Sequence, residues 1–163
     1  PGELTTAALL LRLYLPEAAN IVYTRFDNIL PGVASGEFDA GVIIHEGRFV
    51  YRSFGLNLIE DLGLWWENLT GAPIPLGCIA VKKSLGSEIK EKVEIIIRES
   101  VEYAFAHRNA SGSFIKCNAS EMDDDVIRSH IELYVNEFTI DLGVKGREAV
   151  RLLEKLAAER GII

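Results

Sequence analysis

A chain of 163 residues with 48% apolar and 25% charged side chains, and 14 Gly and 5 Pro scattered along it, has enough apolar material for one sizeable core and is neither disordered, collagenous nor linker-rich. Its 17 Lys and Arg against 24 Asp and Glu give a formal charge of -7 with no basic run to offset it, which argues against a nucleic-acid partner. The longest apolar runs, residues 7–11, 41–44 and 95–97, fall far short of the ~20 residues that cross a bilayer, so no membrane-spanning helix is expected.

The chain opens on Pro1 rather than Met, which leads us to expect a cut end with part of the parent protein lying ahead of it. Residues 4–15 then carry Leu4, Ala7, Ala8, Leu11 and Leu15 at helical spacing, widened by Leu9, Leu10 and Leu13, and Pro16 stops the pattern. Residues 21–26 are β-branched and aromatic and read as a strand. Asp27 suits the N-cap of a short helix carrying Ile29, Leu30 and Val33, closed near Gly36. The run Asp39-Ala-Gly-Val-Ile-Ile-His45 is a near-continuous apolar run, as in a strand covered on both faces of a parallel sheet.

Residues 46–54 suit one or two helical turns ended by Gly55, and residues 56–62 a short strand broken by Glu60 and Asp61. A helix over 64–69 should stop at Thr70-Gly71-Ala72-Pro73, followed by a strand over 74–82. From Ser87 onward three helical stripes follow. The first carries Ile89, Val93, Ile96, Ile97, Val101, Ala104 and Phe105; the second runs from Asp123, Asp124 and Asp125 to Phe138; the third carries Ala149, Val150, Leu152, Leu153, Leu156 and Ala157. Residues 1 to about 80 thus read as βα alternation and the rest as helix, without internal repeats.

Several constellations could carry chemistry. Gly2-Glu-Leu-Thr5-Thr6-Ala7 places two hydroxyls at a helix start, where they either hold an anion or cap the helix. His45 ends an apolar run where ligands of open α/β sheets bind, and is either a general base or a structural histidine; Glu46 either orients it or caps the next turn. Trp65 and Trp66, with Phe49, Tyr51 and Phe54, either stack on a ligand or fill the core. His107 and His130 read as structural, and Asp123 to Asp125 as a helix N-terminus rather than a metal site. Cys78 and Cys117 have no Cys or His at metal spacing, so reduced, buried thiols are expected rather than a disulfide or zinc site. No G-x-S-x-G elbow, Walker loop or Rossmann fingerprint occurs.

The ordered motifs Pro1-Gly-Glu-Leu-Thr-Thr-Ala7, Gly36-Glu-Phe-Asp-Ala-Gly-Val-Ile-Ile-His-Glu-Gly-Arg-Phe49, Asp61-Leu-Gly-Leu-Trp-Trp66, Pro73-Ile-Pro-Leu-Gly77 and Tyr134-Val-Asn-Glu-Phe138 resemble the 1,4-dihydroxy-6-naphthoate synthase family across the whole chain. The resemblance implies an α/β, type 2 periplasmic-binding-protein-like fold of two lobes and a cleft, with the N-terminal part of the first lobe missing. Residues 1–75 would then be most of the second lobe, and residues 76–163 a crossover strand and helical segment returning to the first.

It also implies a carbon–carbon lyase of the futalosine route of menaquinone biosynthesis. Such an enzyme cleaves cyclic dehypoxanthine futalosine with His45 as base and Thr5 and Thr6 holding the polar end of the substrate. The expected partner is this small molecule alone, with no nucleic acid, membrane, metal or redox cofactor, in the cytoplasm. Apolar faces left open by a missing lobe should favour self-association. The alternatives are chorismate dehydratase of the same pathway and a non-catalytic small-molecule binder.

Overall fold

Apolar residues at helical spacing form α1, Thr6–Tyr14, in the computed structural model, which describes residues 1–45, 47–118 and 123–163. The buried face of α1 runs through Ala7, Ala8, Leu10 and Leu13, while Leu4 and Leu15 at the ends of the expected stripe are exposed. The described residues fall into two units, one of Pro1–Leu76 with Val144–Ile163 and one of Gly77–Gly143.

In the first unit, α2 spans Phe26–Ser35 and ends at Gly36. It begins two residues earlier than expected. Arg25 occupies the cap position, and the carboxylate of Asp27 inside the first turn accepts from Arg25 Nε at 3.1 Å and Nη2 at 2.9 Å. This hydrogen-bonded guanidinium holds the Asp27 carboxyl below its ordinary range. α3, Gly47–Val50, passes into a tight turn over Tyr51–Phe54, and α4 spans Leu62–Thr70. Asp61 fixes the start of α4, its Oδ1 accepting the amides of Gly63 at 3.0 Å and Leu64 at 3.1 Å while Oδ2 accepts from Arg48 at 2.9 Å. α4 closes on Gly71 at φ 67, a left-handed conformation that glycine adopts without a Cβ penalty.

The core of this unit gathers Leu10 and Leu13 of α1, Trp66 of α4 and Leu153 of α9, the helix Gly143–Glu159. Leu9, Leu62, Trp65, Ile74, Leu152, Leu156 and Ile162 pack around it. The indole of Trp66 is completely buried, and its one donor is satisfied by Pro73 O at 3.3 Å.

The expected α/β, periplasmic-binding-protein-like architecture is not found: the described residues form helices and irregular chain, with no strand. Runs 21–25, 40–44, 56–61 and 73–82 are rich in β-favouring side chains but lie outside any ladder. A β-prone run becomes a strand only when a neighbouring backbone exchanges hydrogen bonds with it. Three of these runs instead expose large apolar groups, among them Val22, Ile59 and Ile79. The fourth, 40–44, is held against a helix: a Cβ on Gly41 would collide with Ile29 Cγ2 of α2.

The second unit carries α5 (Ser87–Ala106), α6 (Gly112–Asn118), α7 (Asp124–Tyr134) and α8 (Glu137–Ile140), with α8 lying against α5. None of these helices has a fully buried residue among those described, and Ile89, Ile95, Ile96 and Tyr103 of α5 face outward. α6 has no counterpart in the sequence reading. The stripe expected to continue to Phe138 breaks at Val135 because Asn136 starts a new helix, its side chain accepting from Phe138 N at 3.0 Å while Thr139 Oγ1 accepts from Asn136 N at 3.2 Å.

Both thiols, expected to be buried, are free and exposed. Cys78 lies in an irregular run and Cys117 on a helix with no buried face, so neither has a core to enter. No helix among the described residues is long and apolar enough to cross a membrane.

Candidate functional site

Thr5 and Thr6 stand together at the start of α1, where the first amides of a helix lack intrahelical partners. Thr5 is the N-cap: its hydroxyl accepts the Ala8 amide at 3.2 Å and donates to Gly2 O at 2.7 Å. Thr6 Oγ1 donates to Leu76 O at 3.2 Å, tying the helix start to the far end of the same unit. Both hydroxyl protons are therefore directed at backbone carbonyls, and the lone pairs are the remaining bonding capacity. Thr5→Ala is expected to destabilise the chain by about 1 kcal/mol and Thr5→Ser by much less, read as a shift in the urea midpoint at constant slope.

His45 ends the 40–44 run with φ 55, a left-handed backbone that costs a residue with a Cβ about 1–2 kcal/mol. Upstream of it Gly41 is pressed on Ile29; downstream, buried Gly47 would carry a Cβ at ordinary contact distance, 3.5 Å from Ile43 Cβ and 3.6 Å from Leu30 Cδ1. Backbone outliers of this kind concentrate at functional sites. The imidazole is partly buried, and its ring meets that of Phe26 edge to face, 5.1 Å between centroids at 71°.

The hydroxyl pair and the imidazole belong to one unit but are held by different elements and different partners. Glu46, the neighbour expected to orient His45 or cap the next turn, lies outside the described residues. Phe26 was not signalled as a site residue in the sequence, where it reads as the end of an apolar run, because nothing in its spacing ties it to His45.

Of the aromatic group, Trp66 and Trp65 fill the core, Trp65 packing edge-on against Tyr14 at 5.4 Å. Phe49 and Phe54 are exposed, and the guanidiniums of Arg48 and Arg52 lie 5.7 and 5.8 Å from the rings of Phe49 and Tyr51. His107 closes α5, stacked on Tyr103 at 4.1 Å with Nδ1 3.1 Å from Tyr103 O; His130 lies 4.7 Å from the Tyr134 ring. Asp123 caps α7 through the amides of Asp125 at 2.9 Å and Val126 at 3.1 Å. Among the described residues no group of three or more His, Cys, Asp or Glu side chains is placed to hold a metal ion.

Residues 1–159 match the family model described as menaquinone biosynthesis. A Thermus thermophilus protein named 1,4-dihydroxy-6-naphtoate synthase is 44% identical over 162 residues, covering 99% of this chain and 59% of that protein. A Streptomyces coelicolor protein of the same name is 42% identical over 168 residues, covering 100% of this chain and 60% of the relative. A crystal structure of an Archaeoglobus fulgidus protein, 31% identical, superimposes on the whole chain with a TM-score of 0.94 and extends beyond it, the match covering 61% of that chain.

Proposed function

The chain belongs to the menaquinone biosynthesis family, and from this we propose that it performs carbon–carbon bond cleavage of the kind named by its naphthoate-synthase relatives. It spans 59% and 60% of their lengths, and the activity proposed is the one that the full-length relatives are named for. The substrate is the cyclised, sugar-bearing futalosine derivative and the product 1,4-dihydroxy-6-naphthoate.

His45 carries the proposal. A strained, partly buried imidazole held at a fixed point is suited to accept a proton from a substrate hydroxyl. As that O–H bond breaks, its electron pair forms a carbonyl and the adjacent C–C bond breaks in the retro-aldol sense, its own pair passing to the ring-side carbon as an enolate that takes a proton back from the imidazolium. Loss of the sugar fragment then leaves a ring that gains aromaticity, which supplies the driving force. Thr5 and Thr6, with the free amides at the start of α1, would hold the polar end of the substrate.

The test is product release by the wild-type chain and by His45→Ala, each assayed alone and with the remaining segment of the Thermus relative added in trans. Turnover that depends on His45 supports the lyase; ligand binding with turnover in neither protein would leave only a binder.

The proposal includes a cytoplasmic location. Exposed apolar groups such as Ile59 and Ile79, at 81% and 72% exposure, also lead us to expect self-association, seen as a sedimentation coefficient that rises with concentration.

A further inference from the structure

We propose that Phe26 is the positioning residue for the His45 imidazole, an inference that rests on reading His45 as the base. The left-handed backbone at His45 fixes the direction of its Cα–Cβ bond but leaves two side-chain torsions free. A base is useful only when its ring nitrogen points at the proton it removes, so something has to select among those rotamers.

The Phe26 ring is one contact placed to take part in that selection. It stands edge to face with the imidazole at 5.1 Å and 71°, within the range at which aromatic pairs attract beyond simple burial. Phe26 is itself well anchored. It is the first residue of α2, flanked by the Arg25–Asp27 pair with its two hydrogen bonds of 3.1 and 2.9 Å, and three residues further along the buried Ile29 and Leu30 begin to fix the helix. The segment that carries His45 is referenced to the same helix through the close approach of Gly41 to Ile29. Base and ring are thus both referenced to α2.

The chain has three histidines, which makes a residue-resolved test practical without turnover. Carbethoxylation by diethyl pyrocarbonate, followed for each histidine by mass spectrometry, should proceed roughly 2- to 10-fold faster at His45 in Phe26→Leu, the weight of one lost aromatic pair. The rates at His107 and His130 should stay as in wild type. The ring-proton resonances of His45 should shift in the same variant, and Phe26→Tyr should keep both the rate and the resonances.

Unchanged His45 reactivity and resonances in Phe26→Leu would overturn the proposal. So would an acceleration shared by all three histidines, which marks a general loosening, or a Phe26→Tyr variant that behaves like Leu. These readouts can fail while His45→Ala still abolishes turnover, whereas turnover that survives His45→Ala removes the base reading whatever Phe26 does.

Discussion

In His45→Ala, product release is expected to fall by ~10²- to 10⁴-fold, the usual range for loss of a general base, with ligand affinity held within a few-fold. The substitution removes the imidazole and leaves the close approach of Gly41 to Ile29 untouched, so the lost quantity is proton transfer rather than the shape of the segment. His45→Gly separates chemistry from strain. Glycine adopts φ 55 freely, so this variant should be as stable as wild type or up to ~1 kcal/mol more stable, yet as inactive as alanine. Steady-state turnover and urea melts on the same preparations provide the check. Turnover of either variant within ten-fold of wild type would rule out His45 as the base.

Trp66→Ala is expected to cost about 3–5 kcal/mol, a large share of the ~5–15 kcal/mol that holds a typical domain together. Trp66 is 0% exposed and sits where α1, α4 and α9 meet, so truncation opens a cavity bounded by Leu10, Leu13 and Leu153. These lie on two helices, α1 and α9, and cannot all move in to fill it. The indole also donates to Pro73 O, which ties the end of α4 to the chain that leaves it. Trp66→Phe keeps most of the apolar body and loses that donor, and should cost much less than alanine. Equilibrium urea unfolding measures both, and a Trp66→Ala midpoint equal to wild type would mean that this core does not support the unit.

The two Trp66 variants also mark how far the sequence reaches. Both tryptophans stood in the sequence as either a ligand platform or core, and only the packing of α1, α4 and α9 around Trp66 decides for the core. Much of the helical content was legible: α1, α2, α4, α5, α7 and α9 each follow an apolar spacing, Gly36, Gly71 and Asp123 mark ends or starts among them as expected, and Gly55 closes the turn over Tyr51–Phe54. α6 was not legible because seven residues, Gly112–Asn118, are too few to show a period. The break before α8 was hidden for a different reason. Val135 and Phe138 continue the apolar stripe, while the Asn136 and Thr139 side chains compete locally for the backbone and win.

The strands were the principal misreading. Side chains of 21–25, 40–44, 56–61 and 73–82 satisfy the β pattern, but pattern alone supplies no partner for the backbone. The site divides in the same way. That Thr5 begins a helix is written in the residues that follow it, whereas the left-handed turn at His45 and its contact with Phe26 appear only once Gly41 and Gly47 are packed against α2. The sequence by itself determined where most of the longer helices form and which family the chain resembles, because spacing and capping act within a few residues. The tertiary structure alone decided which apolar runs lie outside any ladder, which faces are buried and how the imidazole is held, because each depends on atoms brought together from distant parts of the chain.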